Sequence, residues 1–168
     1  MIPRVPKVTI REATEADLPQ ILQFIRDLAE YERLADRVTA TEERLRATLF
    51  GNPRFAEVIF VEEEGTPAGF ALFFHNYSTF LARPGIYLED LFVKPEARGR
   101  GYGKALLGRL AKIANERGCG RVEWAVLDWN EPSIAFYKAL GAVPQDDWTV
   151  FRLTGDALDE LSRAPLPG

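Results

Sequence analysis

Three glycines at alternate positions, Gly99, Gly101 and Gly103, are interleaved with Arg100 and Tyr102 and flanked by Arg98 and Lys104. Glycine reaches positive φ at little steric cost and lets a ligand approach the main chain with no Cβ in the way. An apolar strand pattern, Ile86 to Val93, precedes this loop and a helical pattern follows it. The loop amides, the unpaired first-turn N–H groups of that helix and the positive end of its dipole therefore meet at one point, where the basic side chains add formal charge. A di- or polyphosphate suits such a point best. Two familiar phosphate loops fail on spacing. Gly103-Lys104 is followed by Ala105, so the hydroxyl of a P-loop is missing, and G-x-G-x-x-G ends on Lys104 or Leu106 according to the starting glycine. The pattern that remains is Arg-x-x-Gly-x-Gly, Arg98 to Gly103, although an ordinary strand-to-helix turn also uses Gly and Arg.

The strand before the loop carries two adjacent acids, Glu89 and Asp90. Strict alternation puts Glu89 with Tyr87, Leu91 and Val93 on one face, and Asp90 with Leu88 and Phe92 on the other, so that one acid must point elsewhere. Either could make a surface ion pair. Two acids inside so apolar a strand speak instead for a site.

The elements that must position these residues follow from periodicity. Val8 to Glu12 alternates as a half-buried strand. Thr14-Glu-Ala-Asp17 starts a helix whose Leu18, Ile21, Leu22, Ile25 and Leu28 recur at helical spacing to about Tyr31, and Thr41 starts a second that ends at Gly51-Asn52-Pro53. Ala56 to Val61 and Ala68 to Phe74 flank the turn Glu64-Gly65-Thr66-Pro67 and form an antiparallel hairpin. The central strand is Tyr87 to Val93. The helix after the glycine loop turns Leu106, Leu107, Leu110, Ile113 and Ala114 inward and ends near Gly118. Arg121 to Leu127 is a further strand, Asn130 caps a short helix with Pro132 in its first turn, Trp148 to Leu153 is a last strand, and Thr154 to Leu161 is a terminal helical turn or two. This order predicts an α/β (α+β) chain with a mixed, mostly antiparallel central sheet flanked by helices.

The bulk properties narrow the function classes. At 168 residues and 46% hydrophobic content, one well-buried domain is expected over 1–168, with its core at about 8–162 and a frayed tail at 163–168. Lys plus Arg number 21 against 25 Asp plus Glu, a net charge of -4, which argues against a nucleic-acid scaffold and leaves room for a cationic substrate. Cys119 is alone and cannot form an intrachain disulfide, and neither a signal-like apolar run nor a membrane-length apolar stretch is present. A soluble cytoplasmic protein without a membrane partner is expected. No His/Cys/Asp cluster has metal-ligand spacing, so no metal is expected either; the lone His75 reads as a strand-end or pocket residue.

The Leu-Glu-Asp strand, the Arg-x-x-Gly-x-Gly loop and Trp129-Asn-Glu-Pro-Ser-Ile-Ala-Phe-Tyr-Lys-Ala-Leu-Gly-Ala142 resemble, in order and spacing, the GNAT acetyltransferase superfamily. Tyr87-Leu-Glu-Asp, Trp129-Asn-Glu-Pro-Ser and Phe136-Tyr-Lys, with Ile10-Arg-Glu-Ala-Thr and Leu28-Ala-Glu-Tyr-Glu32, resemble more narrowly its diamine (spermidine/spermine) and thialysine N-acetyltransferase branch. The likeness covers nearly the whole chain. It implies transfer of acetyl from acetyl-CoA to a primary amine, a polyamine-like small molecule first, with a thialysine-like amino acid, an amino-sugar, a protein amine or a non-catalytic acyl-CoA-binding module as alternatives. It also implies a homodimer.

By this resemblance, Leu91, Phe92 and Val93 lend main chain to the pantetheine arm. Arg98, Gly99, Arg100, Gly101, Tyr102, Gly103 and Lys104 take the diphosphate, and Asn130, Glu131, Pro132 and Ser133 form a second cofactor segment. Tyr137 matches the tyrosine that protonates the leaving thiolate. A phenol with a reference pKa of about 10 suits that role, though an amphipathic core tyrosine would show the same periodicity. A primary ammonium, with a reference pKa of about 10.4, must lose a proton before it can attack. The likeness favours Glu89 for binding the amine and relaying that proton. It puts Tyr31 and Glu32 at the mouth of an acceptor groove, Glu123, Trp124 and Ala125 on its wall and Asp146 on a neighbouring loop, where a solvated charge is an equal reading. Animal polyamine enzymes have a histidine where this chain has Glu123, and His75 to Pro84 departs from them as well.

Overall fold

The computed structural model describes residues 5–166; the tail expected at 163–168 falls partly outside the described residues. The chain forms two compact units, one up to Leu127 and one from Asp128.

The first unit is built on a five-stranded sheet, β1 (Val8–Glu12), β2 (Glu57–Glu63), β3 (Thr66–Ser78), β4 (Arg83–Val93) and β5 (Val122–Trp124), in that spatial order. The first three pairings are antiparallel and the fourth is parallel. Glu64 (φ 50°) and Gly65 (φ 79°) turn the β2–β3 hairpin through two left-handed residues, the geometry that matches the twist of paired strands. The helices are α1 (Leu18–Tyr31), α2 (Glu42–Leu49) and α3 (Tyr102–Glu116). Together they make the expected mixed, mostly antiparallel sheet flanked by helices.

The register sorts the core into two layers. Phe60 pairs with Phe70 and Phe70 with Phe92, so these rings share a face. Phe24 of α1 sits among them, with centroids 6.0, 5.3 and 5.7 Å away, inside a buried cluster that includes Ile21, Leu28, Leu45 and Leu49. Ile59, Ala71, Phe73, Ile86 and Leu88 occupy the other face, toward which α3 turns its buried Leu106, Leu107, Leu110 and Ile113. In the 3-10 turn Glu15–Asp17 that leads into α1, Asp17 completes a capping box with Thr14. Arg11 on β1 grips Asp17 through two bonds of 2.7 and 2.8 Å, donates to Glu62 on β2 at 2.7 Å and lies over the Phe60 ring. One guanidinium therefore ties two strands to the first helix.

Three expectations are corrected. First, alternation does not hold through β4, which carries a β-bulge. Second, the strand expected at Arg121 to Leu127 is confined to Val122–Trp124, because its parallel ladder to β4 stops at Leu88, where the bulge turns the partner away. Third, Trp148 to Leu153 is not a strand. The second unit contains α4 (Glu131–Ala139) and α5 (Gly155–Ser162) but no strand among its described residues, and an alternating segment cannot become a strand without a neighbour to complete its ladder.

Candidate active site

The bulge in β4 organises the acidic part of the site. Leu72 pairs with Asp90 and Phe73 with Leu88, so Glu89 is the extra residue. Leu88 consequently lies on the α3 face and Phe92 on the α1 face, although unbroken alternation puts them together. The same slip brings Glu89 and Asp90 onto one face with Tyr87, whose ring lies 5.2 Å from that of Phe74. The expectation that one acid points away is overturned. Glu89 is exposed and Asp90 is half-buried.

Electrostatics show which other residues are near. Burial, with the neighbouring carboxylates of Glu89 and Glu32, pushes Asp90 up to about 6. Burial also raises Glu32, at the C-terminal end of α1, while burial together with Glu89 and Glu123 raises the Tyr87 phenol. Glu32, Glu89 and Asp90 are thus brought together from two elements far apart in sequence. Repelling carboxylates in partly desolvated surroundings are relieved by a proton or by a bound cation. Glu123 on β5 is differently placed, since it accepts from Asn76 Nδ2 at 2.8 Å and pairs with Arg121 Nε at 2.9 Å. Its charge is already balanced. Trp124 closes β5 and Ala125 follows it.

Beyond the bulge β4 has no strand beside it on the β5 side among the described residues, because the ladder ends at Leu88–Trp124. The edge formed by Leu91, Phe92 and Val93 can therefore accept an extended ligand through main-chain hydrogen bonds. The chain then makes a 3-10 turn at Pro95–Ala97 and enters the glycine loop. Gly99 (φ 75°) and Gly101 (φ 83°) are left-handed, with no atom within 4 Å of where a Cβ would stand. A ligand can lie directly on this backbone. The helical ladder of α3 begins with Ala105 N–H donating to Gly101, which leaves the amides of Tyr102, Gly103 and Lys104 at its N-terminus. Open space, left-handed glycines and a helix N-terminus all fit the diphosphate of acetyl-CoA.

The loop cations play unequal parts. Arg98 Nε donates to the Val93 carbonyl at 3.0 Å, and its guanidinium lies over the Tyr31 ring at 4.9 Å and the Phe92 ring at 5.7 Å. Arg100 makes two bonds to Glu63, at 2.9 and 2.7 Å. Lys104 is exposed and forms no ion pair among the described residues. All three charges were expected at the anion site, whereas Arg98 and Arg100 have protein partners. Glu63 has no signal in the sequence, since nothing local marks a strand-end acid as a partner for a loop 37 residues away.

In the second unit, Asn130 caps α4 by accepting from the Ser133 amide, with Glu131 and Pro132 in the first turn. Tyr137 lies on the same helix, its ring 5.4 Å from that of Phe136. Asp146 belongs to the irregular stretch after α4. Among the described residues no group of three or more His, Cys, Asp or Glu could hold a metal ion, and no helix is long and apolar enough to cross a membrane.

The profile of the Acetyltransferase (GNAT) family matches residues 18–142. The chain is 43% identical over 166 residues to a thialysine N-epsilon-acetyltransferase of Bos taurus, spanning 92% of this chain and 97% of that protein. It is 37% identical over 199 aligned positions to an L-ornithine N5-acetyltransferase of Arabidopsis thaliana, spanning 92% and 87% respectively. Among solved structures, an integron cassette protein from the mobile metagenome of V. cholerae matches with a TM-score of 0.79 at 27% identity, over 94% of this chain and 98% of that one.

Proposed function

Because the chain belongs to the GNAT acetyltransferase family and is an acetyl-CoA-dependent acetyltransferase, we propose that its acceptor is the terminal primary amine of a small, flexible molecule carrying a second positive charge, of the diamine or polyamine class. The observation that carries this reading is the bulge in β4, which gathers Glu89 and Asp90 on one face beside Glu32. A cationic alkyl chain relieves the repulsion among these acids. A neutral acceptor does not.

The roles of the residues follow from the chemistry. The glycine loop and the start of α3 hold the diphosphate, and the open edge of Leu91, Phe92 and Val93 holds the pantetheine arm. Bound acetyl-CoA supplies the thioester acyl group. Glu89 takes a proton from the substrate ammonium, so that a neutral nitrogen attacks directly and no covalent enzyme intermediate is needed. Tyr137 donates its phenolic proton to the departing thiolate. Tyr31, Glu32 and Asp90 hold the rest of the acceptor.

A second reading, a diamino acid such as thialysine or ornithine, draws on the relatives named for those substrates. The deciding experiment is release of CoA thiol from acetyl-CoA with putrescine, spermidine, spermine, thialysine, ornithine, lysine and amino-sugars as acceptors. Selective turnover of the free diamines and polyamines supports the first reading. Selective turnover of thialysine or ornithine replaces it with the second, and turnover confined to amino-sugars rejects both.

A further inference from the structure

Glu63 ends β2 next to the β2–β3 turn, on an element to which the cofactor reading assigns no part. Its carboxylate nevertheless holds the glycine loop at two points. Arg100 donates to both of its oxygens, at 2.9 and 2.7 Å, and the Tyr102 hydroxyl donates at 2.7 Å. Arg100 and Tyr102 are the immediate neighbours of Gly101, the left-handed residue that precedes α3. The Arg100 guanidinium also donates to the Glu96 carbonyl at 3.2 Å, which ties the end of the loop back to its beginning.

A carboxylate beside an anion site is unfavourable unless its charge is spent elsewhere. Here one guanidinium and one phenol take it up, and the geometry gives the arrangement a purpose. A loop of alternating glycines samples many backbone conformations when free, and ordering it on binding weakens the ligand. Fixing the residues on both sides of Gly101 removes much of that freedom beforehand. It also commits the Arg100 charge to Glu63, so the loop amides and Lys104 carry the phosphate contact.

We propose that Glu63 is a positioning residue for the cofactor loop: through Arg100 and Tyr102 it pre-organises the Gly101 backbone to receive the diphosphate of acetyl-CoA. This rests on the reading that the loop from Gly99 to Lys104 takes that diphosphate.

The test titrates CoA onto the full chain and compares Glu63→Ala and Tyr102→Phe with a loop control, Gly101→Val, alongside steady-state kinetics. Glu63→Ala is expected to raise the CoA Kd and the acetyl-CoA KM about tenfold, and Tyr102→Phe, which keeps the buried ring, about two- to threefold. In Glu63→Ala the KM for the amine stays unchanged and kcat at saturating acetyl-CoA stays within about twofold. General loss of structure would instead lower kcat through a smaller active fraction and leave the Kd of that fraction alone. Combining the two substitutions should weaken CoA no further than Glu63→Ala does, because both act through one carboxylate. Should Glu63→Ala fail to fold, the Tyr102→Phe shift decides. Unchanged or tighter CoA binding in the Glu63 and Tyr102 variants, with CoA binding lost in Gly101→Val, overturns the role of Glu63 and leaves the loop reading standing. CoA binding unaffected by Gly101→Val overturns both.

Discussion

Glu89 and Asp90 are neighbours in sequence and lie on the same face of the sheet. Leu72 pairs with Asp90, Phe73 pairs with Leu88, and Glu89 has no partner of its own. The bulge converts two acids that alternation would separate into a pair, and α1 brings Glu32 near enough to raise Asp90 further. At about 6, the Asp90 carboxyl changes charge close to neutral pH.

Asp90 should make both stability and acceptor binding depend on pH around 6. Its carboxyl is raised from 3.8 to about 6 in the folded chain, so the native state holds the proton more tightly than the unfolded state does. The associated stability is fully present below pH 3.8 and is lost as pH rises through about 6. Asp90→Asn is therefore expected to be more stable than the parent at pH 8, by about 1–3 kcal/mol, and to match it near pH 4. Denaturant melts at the two pH values measure this. In kinetics, the KM for a dicationic amine should rise between pH 7.5 and 5.5 in the parent and stay flat in Asp90→Asn. A pH-dependent KM in the variant would exclude Asp90 as its source.

Arg98 should affect the acceptor more than the cofactor, since its guanidinium stacks on Tyr31 and Phe92. Arg98→Lys keeps the charge but not the planar stack. The expected result is a two- to fivefold rise in the amine KM, about 0.5–1 kcal/mol, with little change in the KM for acetyl-CoA. The opposite pattern, with acetyl-CoA alone affected, would mean that Arg98 serves the phosphate.

Tyr137→Phe tests the general-acid role proposed for Tyr137. Loss of proton donation to the thiolate should lower kcat by about two orders of magnitude or more while the CoA Kd stays within twofold. Comparable turnover in the variant would remove Tyr137 from the mechanism.

Asp17 should govern part of the acid sensitivity of the fold. The hydrogen bonds from Arg11, stronger than the opposing effect of burial, hold its carboxyl down at about 2. A lowered carboxyl contributes stability that is present above the usual aspartate range and lost as pH falls toward 2. Asp17→Asn is expected to cost about 1–2 kcal/mol at pH 7 and nothing near pH 2, as read by denaturant midpoints. Arg11→Met should cost more, about 2–4 kcal/mol, because it leaves both Asp17 and Glu62 without their cation.

Much of the architecture was legible because it is encoded over short distances. The spacing of Leu18, Ile21, Leu22 and Leu28 gave α1 and its buried stripe, and Glu64-Gly65 gave the hairpin turn. Asn130 and Pro132 gave the start of α4, and the glycine loop announced itself by composition. Each of these rests on the side-chain chemistry of a few consecutive residues, which the chain carries wherever it goes. The strand expected at Trp148 to Leu153 failed for the complementary reason. Its alternation is local, but a strand is defined by a partner, and the second unit offers none among its described residues.

The acidic face and the pinned loop belong to the tertiary structure. A bulge is a mismatch between two strands, so no inspection of β4 alone could reveal that Glu89 is the extra residue and that Asp90 joins it. The approach of Glu32 requires α1 to pack its Phe24 among the sheet's phenylalanines. The bonds from Arg100 and Tyr102 to Glu63 join residues 37 and 39 positions apart. The chain order supplied the groups capable of chemistry: glycines with free amides, basic side chains, paired acids and a tyrosine. Packing settled which charges remain available for a ligand and which are held by the protein, because a charge's surroundings depend on where the other elements fold.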